Sequence, residues 1–201
     1  LLVNLYYPHR ILTSESTTKE IFHNPLHLGM AYLASVLRNH KFQVKILDAD
    51  LHAIPDKTII THVITQDYDL VGFTTTFNLV NRILKIIKDI KKSKSSVHLT
   101  LGGHTATFKT NSLFKRSKSI DSIVKHEGEL TFLELADCLY QGKELIEIKG
   151  LSFRVGTRII HNPLRPLIAN LDTIPFPAFD DYQYSYENAG GYVHIISSRG
   201  C

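Results

Sequence analysis

The chain has 201 residues, 43% hydrophobic and 21% charged, which is enough to bury the core of one α/β domain with a short appendage. Its net charge of +4 gathers in Lys85, Lys88, Lys91, Lys92 and Lys94 as the solvated face of one helix; with no interleaved aromatics or reader motif, nucleic acid is not an expected partner. No run approaches the ~18 apolar residues of a membrane span, and two cysteines, Cys138 and Cys201, cannot build a disulfide framework, so a reducing, cytoplasmic setting is expected.

Residues 1–6 form a short apolar run without the basic flank or small-residue site of a leader, and read as a strand. Asn24-Pro25 offers an N-cap and a first-turn proline, and Leu28, Tyr32, Leu33, Val36 and Leu37 follow at helical spacing. A second strand is predicted over 42–47, closed by Asp48-Ala49-Asp50, and a weaker helix over 55–66 with Ile59, Ile60, Val63 and Ile64. The third strand, 69–73, runs into Thr74-Thr75-Thr76, and Leu79, Val80, Ile83, Ile86, Ile87 and Ile90 then mark a clear amphipathic helix. A fourth strand at 97–101 stops at Gly102-Gly103, and a short helix is expected within the poorly patterned 106–118. The fifth strand, 122–124, leads through Gly128-Glu129 into a helix with Leu130, Leu133, Leu135, Ala136 and Leu139, ended by Gln141-Gly142.

Five strand–helix alternations predict an α/β, doubly wound, flavodoxin-like parallel sheet of five strands. After Gly150 the texture changes. Residues 151–154 and 158–161 flank Val155-Gly156-Thr157 as a small hairpin. Pro163, Pro166, Pro175 and Pro177, with Tyr182, Tyr184 and Tyr186, then give a linker too proline-rich for a helix and too apolar for a disordered tail. A last strand is predicted over 192–197, before Ser198-Arg199-Gly200-Cys201.

Ligands of open parallel sheets bind outside the carboxyl ends of the strands. Here those ends carry Tyr7-Pro8-His9, Asp48-Ala49-Asp50, Thr74-Thr75-Thr76, Gly102-Gly103-His104 and Glu127-Gly128-Glu129. Hydroxyls there can bond a polar ligand, glycines let it approach the backbone, and free N–H groups after Gly128 can face an anion. The same residue types also serve ordinary strand-to-helix turns, so position alone leaves both readings open. GxGxxG, GxxxxGKS/T, CxxC and HExxH are all absent. A phospho-acceptor receiver is not expected, because the third strand ends in threonines rather than an aspartate.

In order, Asn24-Pro25-Leu26-His27-Leu28-Gly29 with the helix it opens, Val71-Gly72-Phe73-Thr74, Leu101-Gly102-Gly103-His104-Thr105, His126-Glu127-Gly128-Glu129, Asp172-Thr173-Ile174-Pro175-Phe176-Pro177-Ala178 and Ile196-Ser197-Ser198-Arg199-Gly200-Cys201 resemble the front half of cobalamin-dependent radical S-adenosylmethionine (SAM) enzymes. His126 stands where that family's Gly-Glu-Gly-Glu-like turn has its first glycine. The resemblance implies cobalamin as cofactor, its nucleotide tail bonded by Thr74, Thr75 and Thr76. Gly102, Gly103 and His104 would make room for that tail, and Glu127 and Gly128 would line the far wall. It implies that Cys201 is the first of three thiolate ligands to a [4Fe–4S] cluster that also binds S-adenosylmethionine, in a methyltransferase or cyclase-like enzyme.

The chain is therefore expected to be the inactive front portion of a longer protein. Residues 1–145 form the cobalamin module, 146–190 the hairpin and linker, and 191–201 the start of a radical SAM domain, its partner in the same polypeptide. One departure matters. The Asp-x-His-x-x-Gly motif that supplies a cobalt ligand is missing after the first strand, where Tyr7-Pro8-His9-Arg10 stands, and Asp50-Leu51-His52 follows the wrong strand. No histidine of the chain is expected to ligate cobalt, and a cofactor-free docking or dimerisation domain of the same fold is the alternative. Gly103→Val is expected to abolish corrinoid retention with little loss of fold.

Overall fold

The computed structural model describes residues 1–4, 27–49, 54–182, 196, 198 and 199. Strands β1 (Leu2–Asn4), β2 (Ile46–Asp48), β3 (Leu70–Thr74), β4 (His98–Gly102) and β5 (Ser122–Val124) are parallel neighbours in the order β2-β1-β3-β4-β5. This is the doubly wound order expected. The hairpin is not a separate appendage. Its strands β6 (Leu151–Val155) and β7 (Arg158–His161) continue the same sheet antiparallel, Ile123 facing Ser152 and Phe153 facing Ile160, so the sheet has seven strands.

Alternate residues of the strands feed two cores. Val71, Phe73, Leu99, Leu101 and Ile123 face helices α2 (Asp56–Thr65) and α3 (Val80–Ser93). On α3, Ile83, Ile86, Ile87 and Ile90 are fully buried, at the i, i+3, i+4, i+7 spacing of one helix face. Each contributes about 2 kcal/mol of hydrophobic burial, enough to override the helix's charged remainder. Leu2, Val124, Leu151 and Phe153 face the opposite layer, α1 (Leu28–Asn39) and α6 (Glu129–Gln141). Gly72 belongs to that face: a Cβ there would lie 2.9 Å from Cε2 of Phe132, so the bare backbone lets α6 settle onto the sheet.

Several boundaries differ from the expected ones. Helix α1 starts at Leu28 with His27 as its N-cap, the ring Nδ1 accepting the Met30 N–H at 3.3 Å; Asn24 and Pro25 lie outside the described residues. The second strand is shorter than predicted, and the 106–118 region is two short helices, α4 (His104–Phe108) and α5 (Thr110–Arg116). Tyr184, Tyr186, Cys201 and, apart from Ile196, the strand predicted over 192–197 also lie outside the described residues.

The proline-rich segment packs as a strap across α1 and α6. The side chain of Arg165 donates from Nε to Thr131 Oγ1 at 2.9 Å and pairs with Glu134. Ser35 Oγ donates to the Phe176 carbonyl at 2.5 Å, and Ala178 N–H to that of Ala31 at 3.0 Å. Among the described residues, no helix is long and apolar enough to cross a membrane.

Candidate functional site

The chain crosses from one side of the sheet to the other at β1 and β3, and such a switch opens a crevice at the carboxyl ends of the strands. A cavity of about 920 Å³ lies there, within the size range of small-molecule and cofactor sites. Its inner wall is the end of β3 and the β4 turn, its far wall residues 126–129, and its near wall the start of α1. Strap residues 167–172 cover it, and Arg199 reaches in from the downstream segment. Phe108, Leu167 and Ile196 add exposed apolar surface at the mouth.

Of the three threonines, only Thr74 lines the cavity. Its Oγ1 lies 3.3 Å from Nε2 of His27. Because Nδ1 of that ring accepts the Met30 N–H, Nε2 carries the proton and donates to Thr74, whose own hydroxyl proton then remains for a ligand. Thr75 is 1% exposed, and its hydroxyl is spent on the fold. It donates to the Gly102 carbonyl at 2.6 Å and accepts the Ala106 N–H at 2.9 Å, pinning the end of β3 to the turn after β4. Thr76 points into solvent, bonding Asn78 Oδ1 at 2.7 Å. Neither places its side chain on the cavity.

Gly102, Gly103, His104, Glu127 and Gly128 all line it. The two glycines differ in kind. A Cβ on Gly102 would meet only the Val124 carbonyl, at 3.9 Å, and otherwise open space that a ligand can use. Gly103 sits at φ +89°, and a Cβ there would press on Thr75 O at 3.1 Å and Thr74 Oγ1 at 3.2 Å. Its glycine serves the turn, so Gly103→Val would strain the backbone itself, and the expectation of an intact fold is corrected. His126 adopts φ +58°, a conformation that explains why a glycine suits this position and that histidine tolerates better than most side chains. Its N–H donates to Thr107 Oγ1 at 3.0 Å, and its ring stands edge-on to Phe108.

The far wall is charged. Glu127 Oε2 accepts the strap's Ile168 N–H at 2.7 Å, while its Oε1 is 3.6 Å from the Arg199 guanidinium. That guanidinium bonds Glu129 Oε1 at 2.7 Å and stacks 4.9 Å above the ring of Tyr32. Burial opposes its charge, yet the hydrogen bond and charge of Glu129, with Glu127, outweigh this and raise its pKa. Glu129 is 5% exposed, and its Oε2 is the one buried side-chain polar atom among the described residues without a partner. His27, Tyr32, Arg199 and the strap were not among the predicted site residues, and Glu129 was read as part of the strand-end rim without a role of its own. The α1 residues looked like one face of a helix, and Arg199 lies far from the strand ends in sequence.

The arrangement fits a bulky, mostly neutral ligand with a polar edge: a hydroxyl, bare backbone at Gly102, apolar walls from Leu2, Met30 and Phe132, and no unbalanced cluster of cations. No group of three or more His, Cys, Asp or Glu side chains among the described residues could hold a metal ion by itself. His9, His52 and Cys201 lie outside those residues.

Residues 19–136 match the family described as B12 binding domain. An uncharacterized methyltransferase of Pyrococcus horikoshii is 36% identical over 176 residues, covering 87% of this chain and 38% of the relative. The anaerobic magnesium-protoporphyrin IX monomethyl ester cyclase of Synechocystis is 26% identical over 181 residues, covering 87% of this chain and 36% of its own length. The chain therefore spans little more than a third of either relative. Among solved structures, the cobalamin-dependent S-adenosylmethionine radical enzyme OxsB, with aqua-cobalamin and S-adenosylmethionine bound, superposes on 100% of this chain and 26% of its own, with a TM-score of 0.80 and 24% identity. The radical S-adenosylmethionine methyltransferase TsrM from Kitasatospora setae, with cobalamin and a [4Fe–4S] cluster bound, covers 88% of this chain and 31% of its own, with a TM-score of 0.64 and 20% identity. At these identities the two structures speak for the fold.

Proposed function

The chain belongs to the B12-binding domain family, and on that premise we propose that it holds cobalamin, nucleotide tail in the cavity, as the front module of a radical SAM enzyme of the methyltransferase or cyclase type. The observation that carries this reading is the cavity at the strand ends, open in front of Gly102 and edged by the Thr74 hydroxyl. Cobalamin supplies a cobalt centre for carbon-group or radical chemistry. This chain's residues bind and orient it. Thr74 donates to the tail, His104 and Gly102 flank its path, and Glu127 and Gly128 close the far wall. Thr75 and Gly103 act indirectly by fixing the turn, and Thr76 contributes least.

Residues 1–145 are the corrinoid module in this reading. Residues 146–190 are the hairpin and linker, of which 151–161 extend the sheet edge and 167–172 cover the cavity, and 191–201 open the radical SAM domain, its partner in the same polypeptide. Cys201 is one of three thiolates to a [4Fe–4S] cluster that binds S-adenosylmethionine, which suits a reducing, cytoplasmic setting. His27 has both ring nitrogens engaged and is not a cobalt ligand. The test is a titration with cobalamin followed by absorbance. The wild-type chain saturates at one corrinoid, and Gly102→Val, whose side chain occupies the tail path, loses binding while remaining folded. Equal affinity in the folded variant would refute the tail path.

A further inference from the structure

We propose that Glu127, Glu129 and Tyr32 form a seat for the guanidinium of Arg199, and that this seat holds the chain, two residues ahead of Cys201, at the wall of the corrinoid cavity. The inference rests on the proposed function, and it makes Arg199 a positioning residue. Four parts of the fold converge on this one side chain. Tyr32 comes from α1, Glu129 from the first turn of α6, and Glu127 from the loop before it. The strap joins through Ile168, whose N–H occupies the other oxygen of Glu127.

Among the described residues beyond the strap, Ile196, Ser198 and Arg199, it is Arg199 that makes polar contacts with the module, and its contacts are those of a guanidinium. It meets two carboxylates from two nitrogens, at 2.7 Å and 3.6 Å, and lays a flat cationic face 4.9 Å from an aromatic ring. A lysine ammonium cannot serve both carboxylates and the stack at once. All three charged groups are largely withdrawn from water, with side-chain exposures of 20% for Arg199, 17% for Glu127 and 6% for Glu129. Glu129 still has one oxygen unpartnered. A half-satisfied buried carboxylate is a poor device for stability, but it gives a specific address for one cation.

Chain geometry supplies the consequence. Two residues span at most about 7 Å, so whatever holds Arg199 limits where the Cys201 thiolate, and a cluster bound to it, can go. S-adenosylmethionine bound at such a cluster would have to come within reach of the corrinoid, so the separation of the two groups matters. A seat built into the cavity wall sets that separation from the corrinoid's own binding site.

The test uses the full-length protein loaded with corrinoid and cluster. Cobalt(II) and the reduced cluster are both paramagnetic, and the magnetic coupling between them falls steeply with distance. Wild type should show one resolved splitting. Arg199→Met and Glu129→Gln should each lose the resolved splitting to a broad distribution in the molecules that carry both corrinoid and cluster. The double variant should be no broader than either single one, and Arg199→Lys should be broadened in part. Should Arg199→Met fail to assemble, Arg199→Lys and Tyr32→Leu decide, and an unchanged splitting in both overturns the seat. A wild-type protein that takes up no corrinoid overturns the proposed function and this inference with it. One that takes it up, with variants that couple as wild type does, overturns the seat alone.

Discussion

Adjacent threonines at the end of β3 carry different duties, and substitution should separate them. Thr75→Val removes a hydroxyl that serves both the Gly102 carbonyl and the Ala106 N–H, leaving the buried Ala106 N–H unsatisfied and the Gly102 carbonyl with the Thr75 N–H alone. A loss of about 1–3 kcal/mol of stability is expected, read as a lower urea midpoint with an unchanged m-value. Thr74→Val should shift that midpoint little and instead weaken corrinoid binding, because its hydroxyl faces the cavity. The same contrast holds at the double glycine. Gly103→Val should lower stability by about 1–3 kcal/mol through its left-handed backbone, whereas Gly102→Val should spare stability and lose the ligand. The run Thr74-Thr75-Thr76 and the pair Gly102-Gly103 were legible as a rim, but not which member faced the ligand. That depends on how the β3 and β4 turns interlock, and nothing in the local spacing encodes it.

Among the elements, α3 and the five parallel strands could be read because period and burial agree: Ile83, Ile86, Ile87 and Ile90 are all core. The attachment of the hairpin could not. Arg154 of β6 donates to the carbonyls of Phe114 at 2.9 Å, Ser117 at 3.0 Å and Ile120 at 3.3 Å, and it lies over the Phe114 ring. A charged residue in a strand pattern does not announce such a staple from sequence. Beneath the helices, β4 and β5 share a polar relay. Ser122 Oγ donates to Thr100 Oγ1 at 2.9 Å, so the Ser122 oxygen accepts the Nε2 proton of His98 at 2.8 Å. Protonation of His98 would add a charge at Nδ1, and desolvation lowers its pKa from 6.5 to about 4. The unfolded chain thus binds more protons between these values, so stability is full above pH 6.5 and falls as pH drops toward 4. The contribution is roughly 3 kcal/mol, at about 1.4 kcal/mol for each pH unit between the two values. Urea midpoints at pH 7 and pH 4.5 should differ clearly less in His98→Gln than in wild type. An equal difference in both would remove His98 as the cause.

At the scale of the molecule, the cavity is assembled from distant parts of the chain: α1, the ends of β3 and β4, the loop before α6, the strap, and Arg199. The strand-end rim was readable because open α/β sheets place ligands there whatever their sequence. The strap and the Arg199 seat were not, because both depend on the chain returning across α1 and α6 after the hairpin. Bound ligand should consequently stabilise the whole assembly. At a hundredfold excess over Kd the gain is about 2.7 kcal/mol, visible as a rise in Tm that Gly102→Val abolishes. The central claim is that the cavity receives the corrinoid by its nucleotide tail. The most direct measurement is the visible spectrum of the chain after loading and gel filtration, with cobalamin and in parallel with cobinamide, which lacks the tail. One cobalamin retained per chain, with cobinamide washed away, is the predicted result. A colourless protein after cobalamin loading, or equal retention of the two corrinoids, would contradict it.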